Sequence, residues 1–170
     1  MDRLIRANLH YLKQASTLLD RIDDARFAEP AKCFYDSSIG GHLRHCIEHY
    51  QSFLDGLAGG KVDYDARERD VIMETQSEAA LSRVGDVSAR LEALLGTDLS
   101  APLEVKMDCG GDEIPWQAST AGRELQFLVS HTVHHFAMVG GICQSMGVNM
   151  DECFGVAPST LRHWFKVEAG

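Results

Sequence analysis

The sequence predicts an all-α protein built as a four-helix bundle. Three observations support this prediction: four long stretches carry apolar residues at helical spacing, glycine, proline or charged segments separate them, and strand-like alternation is confined to one short segment. The chain has 170 residues, of which 45% are hydrophobic and 24% are charged. This length and composition suit a single globular domain over residues 1–170, because a chain of this size can bury a proper core.

The first two predicted helices cover residues 2–24 and 37–58. Pro30 breaks the chain between them. The run Asp36-Ser37-Ser38 offers side-chain caps for the second helix, and Gly59-Gly60 ends it. The apolar residues that define the two helices are Leu4, Ile5, Leu9, Leu12, Leu18, Leu19, Ile22, Ile39, Leu43, Ile47, Phe53, Leu54 and Leu57.

The third and fourth predicted helices cover residues 73–95 and 119–146, and a short helix is expected after Pro158. Between the two long helices, LEVKMDC alternates apolar and polar residues, GGDE can turn and IPW follows, which predicts a minor β hairpin. The charged connection KVDYDARERDVI (residues 61–72) is longer than a tight helix–helix turn needs. Because it can cross the bundle lengthwise, we expect an up-down-down-up order of helices.

Charge and composition exclude several classes of function. The formal net charge of −9 comes without a stripe of lysine and arginine, so a nucleic-acid partner is not expected. No stretch approaches 18 uninterrupted apolar residues, so no membrane span is expected. The amino terminus lacks the apolar core of a signal peptide, and the five cysteines contain no Cys-x-x-Cys pair. A cytoplasmic protein with reduced cysteines is therefore predicted.

Histidine is concentrated in two short stretches. HLRHCIEH (residues 42–49) and HTVHH (residues 131–135) each hold three of the chain's eight histidines. On a helix, residues four apart face the same way, and this spacing joins His45 to His49 and His131 to His135. His42 and His45 are three apart and also share a side. Such pairs can converge on one metal ion.

The pattern of the fourth helix directs its histidines inward. His131 and His135 share a stripe with Leu128, Met138 and Ile142, which places both imidazoles where the core should be. Buried imidazoles without partners are costly, whereas metal coordination satisfies them. The chain lacks the Glu-x-x-His repeat of di-iron bundles, so we expect a mononuclear, nitrogen-rich site. Zinc, nickel and iron suit such a site best, copper is compatible, and magnesium and calcium are disfavoured.

Two segments of the sequence resemble those of the DinB-like superfamily of metal-binding four-helix bundles. They are SSIGGHLRHCIEHYQSFL and LQFLVSHTVHHFAMVGGICQSMGV. The resemblance covers nearly the whole chain in helix order and length, and it implies that His45, His131 and His135 are the metal ligands. The sequence departs from the commonest family pattern at Phe136-Ala137-Met138, where many members carry an Arg-Gly-Gln run.

The resemblance also implies a range of functions. Members are described as metal-dependent hydrolases, and some relatives transfer or isomerise groups with low-molecular-weight thiols. Three histidines leave open coordination positions, as catalytic metal sites do, so a small-molecule substrate is expected. The alternative is a non-catalytic module in which the ion staples helices 2 and 4. The resemblance further suggests a homodimer.

Other residues near the two segments are candidates for supporting roles. His42, His49, His134 and Glu48 can orient the ligands or supply a fourth one, and His49 is the best placed for the latter. Tyr64, Arg67 and Arg69 lie in the charged connection and are possible substrate-binding residues. If the connection returns toward the second helix, either arginine can hold an anionic substrate at the metal, and a solvated salt-bridge network is the competing interpretation. The sequence identifies no catalytic residue.

Overall fold

The structure is a computed structural model that describes residues 2–168, and it is mostly helical. The long helices are α1 (Asp2–Leu19), α3 (Ile39–Gly56), α5 (Ser77–Glu92) and α6 (Ala121–Ser145). Shorter helices are α2 (Asp24–Ala28), α4 (Val71–Thr75) and α7 (Pro158–Glu168), with a 3-10 turn at Lys32–Phe34. The strands are β1 (Lys61–Asp63), β2 (Pro102–Lys106) and β3 (Gln117–Thr120). The predicted helical bundle with minor β structure is confirmed.

The four long helices enclose the core. Helix α1 packs against α5 and α6, and α3 packs against the same two helices. The Gly96 N–H donates to Asp2 at 3.0 Å, so α1 begins where α5 ends. His42 contacts His135 and His49 contacts Phe127, so α3 and α6 run antiparallel. The largest fully buried side chains are Tyr11, Tyr50, Tyr64, Phe27, Phe53, Phe136, Ile5, Ile39, Leu43, Ile47, Met73 and Leu91.

Two predicted helices are shorter or more broken than expected. The first ends at Leu19 instead of residue 24, because the Asp23 side chain accepts the Arg26 N–H and starts the separate helix α2. The third begins at Val71 and is interrupted at Gln76, whose backbone is extended. The N–H and hydroxyl of Ser77 both donate to Asp24, each at 2.7 Å, so a contact from α2 holds this break in place.

The hairpin between α5 and α6 is part of a three-stranded sheet. Strands β2 and β3 pair antiparallel, and β3 lies just after the predicted IPW segment. Strand β1 was not predicted; it pairs parallel to β2. It forms because Val62 is fully buried and Lys106 pairs with Asp63 at 2.7 Å. The sheet thus anchors the charged connection, which continues from β1 along α3.

A tight loop precedes α3. Ala31 and Ser37 form an isolated bridge, and between them Tyr35 and Asp36 both have positive φ angles, of 58° and 55°. The ring of Phe34 occupies the space that a side chain at Gly141 of α6 would need. This contact seats the loop against α6 and brings Ser37 to the first turn of α3.

The longest helix, α6, has 25 residues, and its apolar stripe is interrupted by His131 and His135. Within residues 2–168, none of the helices has the length and apolar content that crossing a bilayer would require.

Candidate metal centre

The antiparallel helices α3 and α6 bring three histidines to one point. One ring nitrogen each from His45, His131 and His135 lies within 4.8 Å of the others. The ring centroids are 4.9 Å apart for His45 and His131, 4.5 Å for His45 and His135, and 4.6 Å for His131 and His135. All three residues are partly buried. The structure therefore assembles a triad from one residue of α3 and two of α6.

The spacing of two of the triad nitrogens fits the shell of one transition-metal ion. His45 Nε2 and His131 Nε2 are 3.1 Å apart. With metal–nitrogen bonds of ~2.0–2.1 Å, neighbouring ligand atoms would be about 3.3 Å apart in a tetrahedral shell and about 2.9 Å apart in an octahedral one. The observed distance lies between these two values. Three imidazoles without a carboxylate also form a donor set that suits zinc, nickel or iron.

The triad histidines are neutral at physiological pH. Burial lowers the pKa of His45 to about 2, with the neighbouring His49 and His135 adding to the effect. Burial likewise lowers the pKa values of His131 and His135 to about 3. Metal ions bind the neutral imidazole, so no proton has to be removed from a cationic ring before coordination.

A chain of hydrogen bonds orients His135. The Ser37 hydroxyl donates to the Phe34 carbonyl at 2.6 Å, so its oxygen can only accept from His42 Nε2, 2.8 Å away. His42 Nδ1 is then an acceptor, and it takes the proton of His135 Nδ1 at 3.0 Å. His135 is left with a lone pair on Nε2. This chain fixes the tautomer that a metal ligand needs.

Arg67 is the cationic neighbour of the triad. Its Nη1 donates to His45 Nδ1 at 2.6 Å, and its side chain is only 12% exposed. The nearest carboxylate oxygen paired with it is Glu48 Oε2, at 3.9 Å. Burial lowers the pKa of Arg67, with Glu48 opposing that shift. The charged connection therefore approaches α3 at Arg67.

A cleft of about 360 Å³ reaches the triad from outside. It opens between the loop before α3, the start of α3 and helix α4. Side chains of both charges line it, as do two members of the triad. Lining residues include Ser37, His42, Arg44, His45, Glu74 and His135.

The other candidates on the two helices lie beside the triad. The His49 ring is 4.1 Å from that of His131, and its Nδ1 donates to the His45 carbonyl at 2.7 Å. Glu48 accepts from Arg44 at 2.8 Å and from the Asp70 N–H at 2.9 Å. His134 is exposed. In the described part of the chain, the group of converging ligand atoms includes none of these three residues.

The two remaining substrate candidates do not reach the triad nitrogens. The Tyr64 ring stacks on His49 at 5.4 Å, and its hydroxyl donates to the buried Glu124 at 2.8 Å. Arg69 is exposed and has a positive φ of 55°. Tyr64 therefore supports the wall behind His49, and Arg67 is the arginine of the connection that contacts the triad.

Sequence reasoning missed two residues of the site. Ser37 was considered only as one of three possible caps of α3; Ser38 is the cap, and Ser37 contacts His42 instead. Arg44 lines the cleft and joins Glu48 to Glu74, both at 2.8 Å. In the sequence, Arg44 could have been suspected only because it directly precedes His45 in HLRHCIEH.

Comparison with known proteins identifies a family. A family model described as the DinB superfamily matches residues 9–139. The chain is also similar to a solved structure, a DinB-like protein from Bacillus subtilis, with a TM-score of 0.60 at 17% identity. That match covers 85% of this chain and 92% of the other.

A curated relative shares part of the chain. FK506-binding protein 5 of Rhizopus delemar is 33% identical over 104 residues, which is 60% of this chain. The matched part spans 27% of that protein, so the chain covers only about a quarter of its length.

Proposed function

The chain belongs to the DinB superfamily, and from that premise we propose that it binds one divalent metal ion and acts on a small molecule. His45, His131 and His135 would hold the ion. The observation that carries the proposal is the convergence of three neutral imidazoles, two of which line an open cleft. Their nitrogen-only donor set favours zinc, nickel or iron.

The proposed activity is that of a metal-dependent hydrolase or a thiol-dependent transferase. A metal held by three imidazoles supplies Lewis acidity, which activates a bound water or thiol near neutral pH. The cleft admits ligands of small-molecule size, since such sites typically measure ~300–1,000 Å³. Arg67 donates to His45 Nδ1 while its nearest carboxylate partner lies 3.9 Å away, so the substrate is expected to carry an anionic group.

The competing proposal is that the metal ion is structural and that the protein has no catalytic activity. It is favoured by the origin of the ligands, because one ion would cross-link α3 to α6. X-ray absorption spectroscopy of the metal-loaded protein, before and after adding a small thiol or carboxylate, separates the two. Entry of the added sulfur or oxygen into the coordination shell supports the enzyme, whereas an unchanged shell of four protein ligands supports the structural ion.

The ligand assignment is tested by exchanging single histidines of α6. His131→Ala removes one of three ligands, so its metal affinity should fall by more than the 10–100-fold typical of supporting residues. His134→Ala is the matched control, because it removes an exposed imidazole three residues along the same helix. Metal content is measured by elemental analysis and helicity by circular dichroism. Full occupancy in folded His131→Ala would contradict the assignment.

A further inference from the structure

The guanidinium of Arg67 is largely buried and has fewer hydrogen-bond partners than it has N–H donors. Its Nη1 contacts His45 Nδ1, while its Nε is buried and, within the described residues, has no hydrogen-bond partner. Glu48 compensates its charge poorly, since that carboxylate lies 3.9 Å away and is held by Arg44 and the Asp70 N–H at 2.8 and 2.9 Å. A guanidinium has five N–H donors, so this one retains unused capacity to bind an anion.

The contact with Arg67 fixes the tautomer of His45. Arginine can only donate, so His45 Nδ1 must carry the lone pair and Nε2 must carry the proton of the neutral ring. That proton points to His131 Nε2, 3.1 Å away, which accepts it. The proton of His131 then lies on Nδ1, a buried atom with no partner among residues 2–168. In this arrangement the Nε2 lone pair of His131 accepts a hydrogen bond, and His45 Nε2 carries a proton, so neither atom can bind a metal ion.

His45 cannot keep Arg67 and also bind a metal ion through Nε2. A neutral imidazole has one lone pair, so a ligating Nε2 requires the proton on Nδ1. Two N–H donors would then face each other across 2.6 Å, the observed distance between Arg67 Nη1 and His45 Nδ1. If His45 used Nδ1 instead, the guanidinium would occupy the position of the ion. In either case Arg67 has to leave His45.

We propose that Arg67 is an exchangeable latch: it pairs with His45 in the metal-free protein and binds the anionic group of a ligand once the metal is bound. The proposal rests on the metal site proposed above and names the ligand class, a small molecule with a carboxylate or phosphate. Such groups accept two parallel hydrogen bonds from a guanidinium and would satisfy the unpartnered Nε.

The latch makes metal binding and anion binding cooperative. Without an anion, metal binding has to displace Arg67 from a full partner, His45, into a cavity whose carboxylates are shared with Arg83 and Arg90. With an anion present, the displaced guanidinium gains a full partner, so each ligand raises the affinity for the other by the same factor. Couplings of this kind are typically 5–150-fold.

The test compares the affinity for Ni²⁺ in the wild type and in Arg67→Met, which keeps the apolar stem of the side chain. Affinity is measured by competition with a chromophoric chelator, alone and with acetate or methylphosphonate. Without an anion, Arg67→Met should bind Ni²⁺ about tenfold more tightly than the wild type. Either anion should tighten binding by the wild type and have no effect on Arg67→Met. The anion with the larger effect identifies the preferred group. Arg6→Met, at an exposed position of α1, should behave as the wild type.

Equal or weaker Ni²⁺ binding by Arg67→Met would overturn the latch while leaving the metal site intact. A wild type that binds no Ni²⁺ would instead refute the metal site. A second measurement does not depend on metal: side-chain ¹⁵N NMR of the metal-free wild type should find His45 protonated on Nε2. Protonation on Nδ1 would reject the latch even if Arg67→Met fails to fold.

Discussion

His42 is not among the three converging histidines, but its two nitrogens determine how His135 faces the site. It connects the Ser37 hydroxyl, 2.8 Å from Nε2, to His135 Nδ1, 3.0 Å from its own Nδ1. Residues that fix the tautomer and ring orientation of a metal ligand contribute to affinity without touching the ion. The same reasoning separates His42 from His134, which is adjacent to His135 in sequence but exposed.

Replacing His42 should weaken metal binding. In His42→Ala, His135 loses the acceptor for its Nδ1 proton, and its ring is free to rotate or change tautomer. We expect a 10–100-fold lower metal affinity with helical content unchanged. Chelator competition measures the affinity, and His134→Ala serves as the control. An affinity equal to that of the wild type would show that the hydrogen-bond chain does not orient the ligand.

At the residue scale, part of the site could be predicted and part could not. The four-residue step between His131 and His135 fixes their common direction on α6 before any tertiary contact is known. The structure places both beside His45, and their role as ligands stays a prediction. Ser37 could not be found, because its contact with His42 depends on the positive φ angles of Tyr35 and Asp36. The pairing of Arg67 with His45 depends on the path of a loop.

At the element scale, helix α4 is held close to α3 at a glycine. A Cβ atom at Gly40 would collide with the backbone carbonyl of Glu74 and touch the ring of Phe27. Glu74 in turn pairs with Arg44 at 2.8 Å beside the cleft. The close approach of the two backbones therefore shapes the entrance to the metal centre as well as the core.

Two glycine substitutions should change stability in opposite directions. Gly40→Ala forces α4 away from α3 and should cost about 1–3 kcal/mol. Gly85→Ala, at an exposed position within α5 with open space around it, should gain up to about 1 kcal/mol, because alanine favours the helix. Thermal unfolding followed by circular dichroism measures both. Equal melting temperatures for the two variants would contradict the close packing at Gly40.

The sequence predicts best the elements whose own residues show a clear apolar periodicity. The long helices follow from apolar residues at helical spacing, and α6 is capped by Thr120, whose side chain accepts the Arg123 N–H. Strand β1 is three residues long and forms because β2 lies beside it. The break at Gln76 depends on Asp24, 53 residues before Ser77. Such tertiary contacts override local propensity and have no local signal.

At the scale of the whole molecule, the protein keeps five neutral histidines in a chain of net charge −9. Burial lowers the pKa values of His42, His45, His49, His131 and His135, with His49 reaching about 4. In the unfolded chain these rings would titrate near ~6.5. The fold thus excludes protons that the unfolded state accepts, which couples stability to pH across the entire bundle.

The metal-free protein should therefore lose stability in mild acid. A folded pKa below the unfolded one gives stability that is complete above about pH 6.5 and declines as pH falls toward the folded value. At pH 5 the loss amounts to at most about 2 kcal/mol for each histidine that stays neutral in the folded state. Asp24, Asp63 and Asp98 also have lowered pKa values. Their contribution declines only below about pH 4, so a loss between pH 6.5 and 4.5 belongs to the histidines.

Melting temperatures measured in chelator from pH 7.5 to 4.5 test this coupling. The wild type should show a plateau above pH 7 and a steady fall below pH 6.5, and His134→Ala should keep that profile. His49→Gln removes one buried imidazole, so its melting temperature should fall less steeply across the same range. A wild-type melting temperature that is constant from pH 7.5 to 5 would mean that these rings take up protons in the folded protein. The triad would then be charged in mild acid, and metal affinity rather than stability would carry the pH dependence.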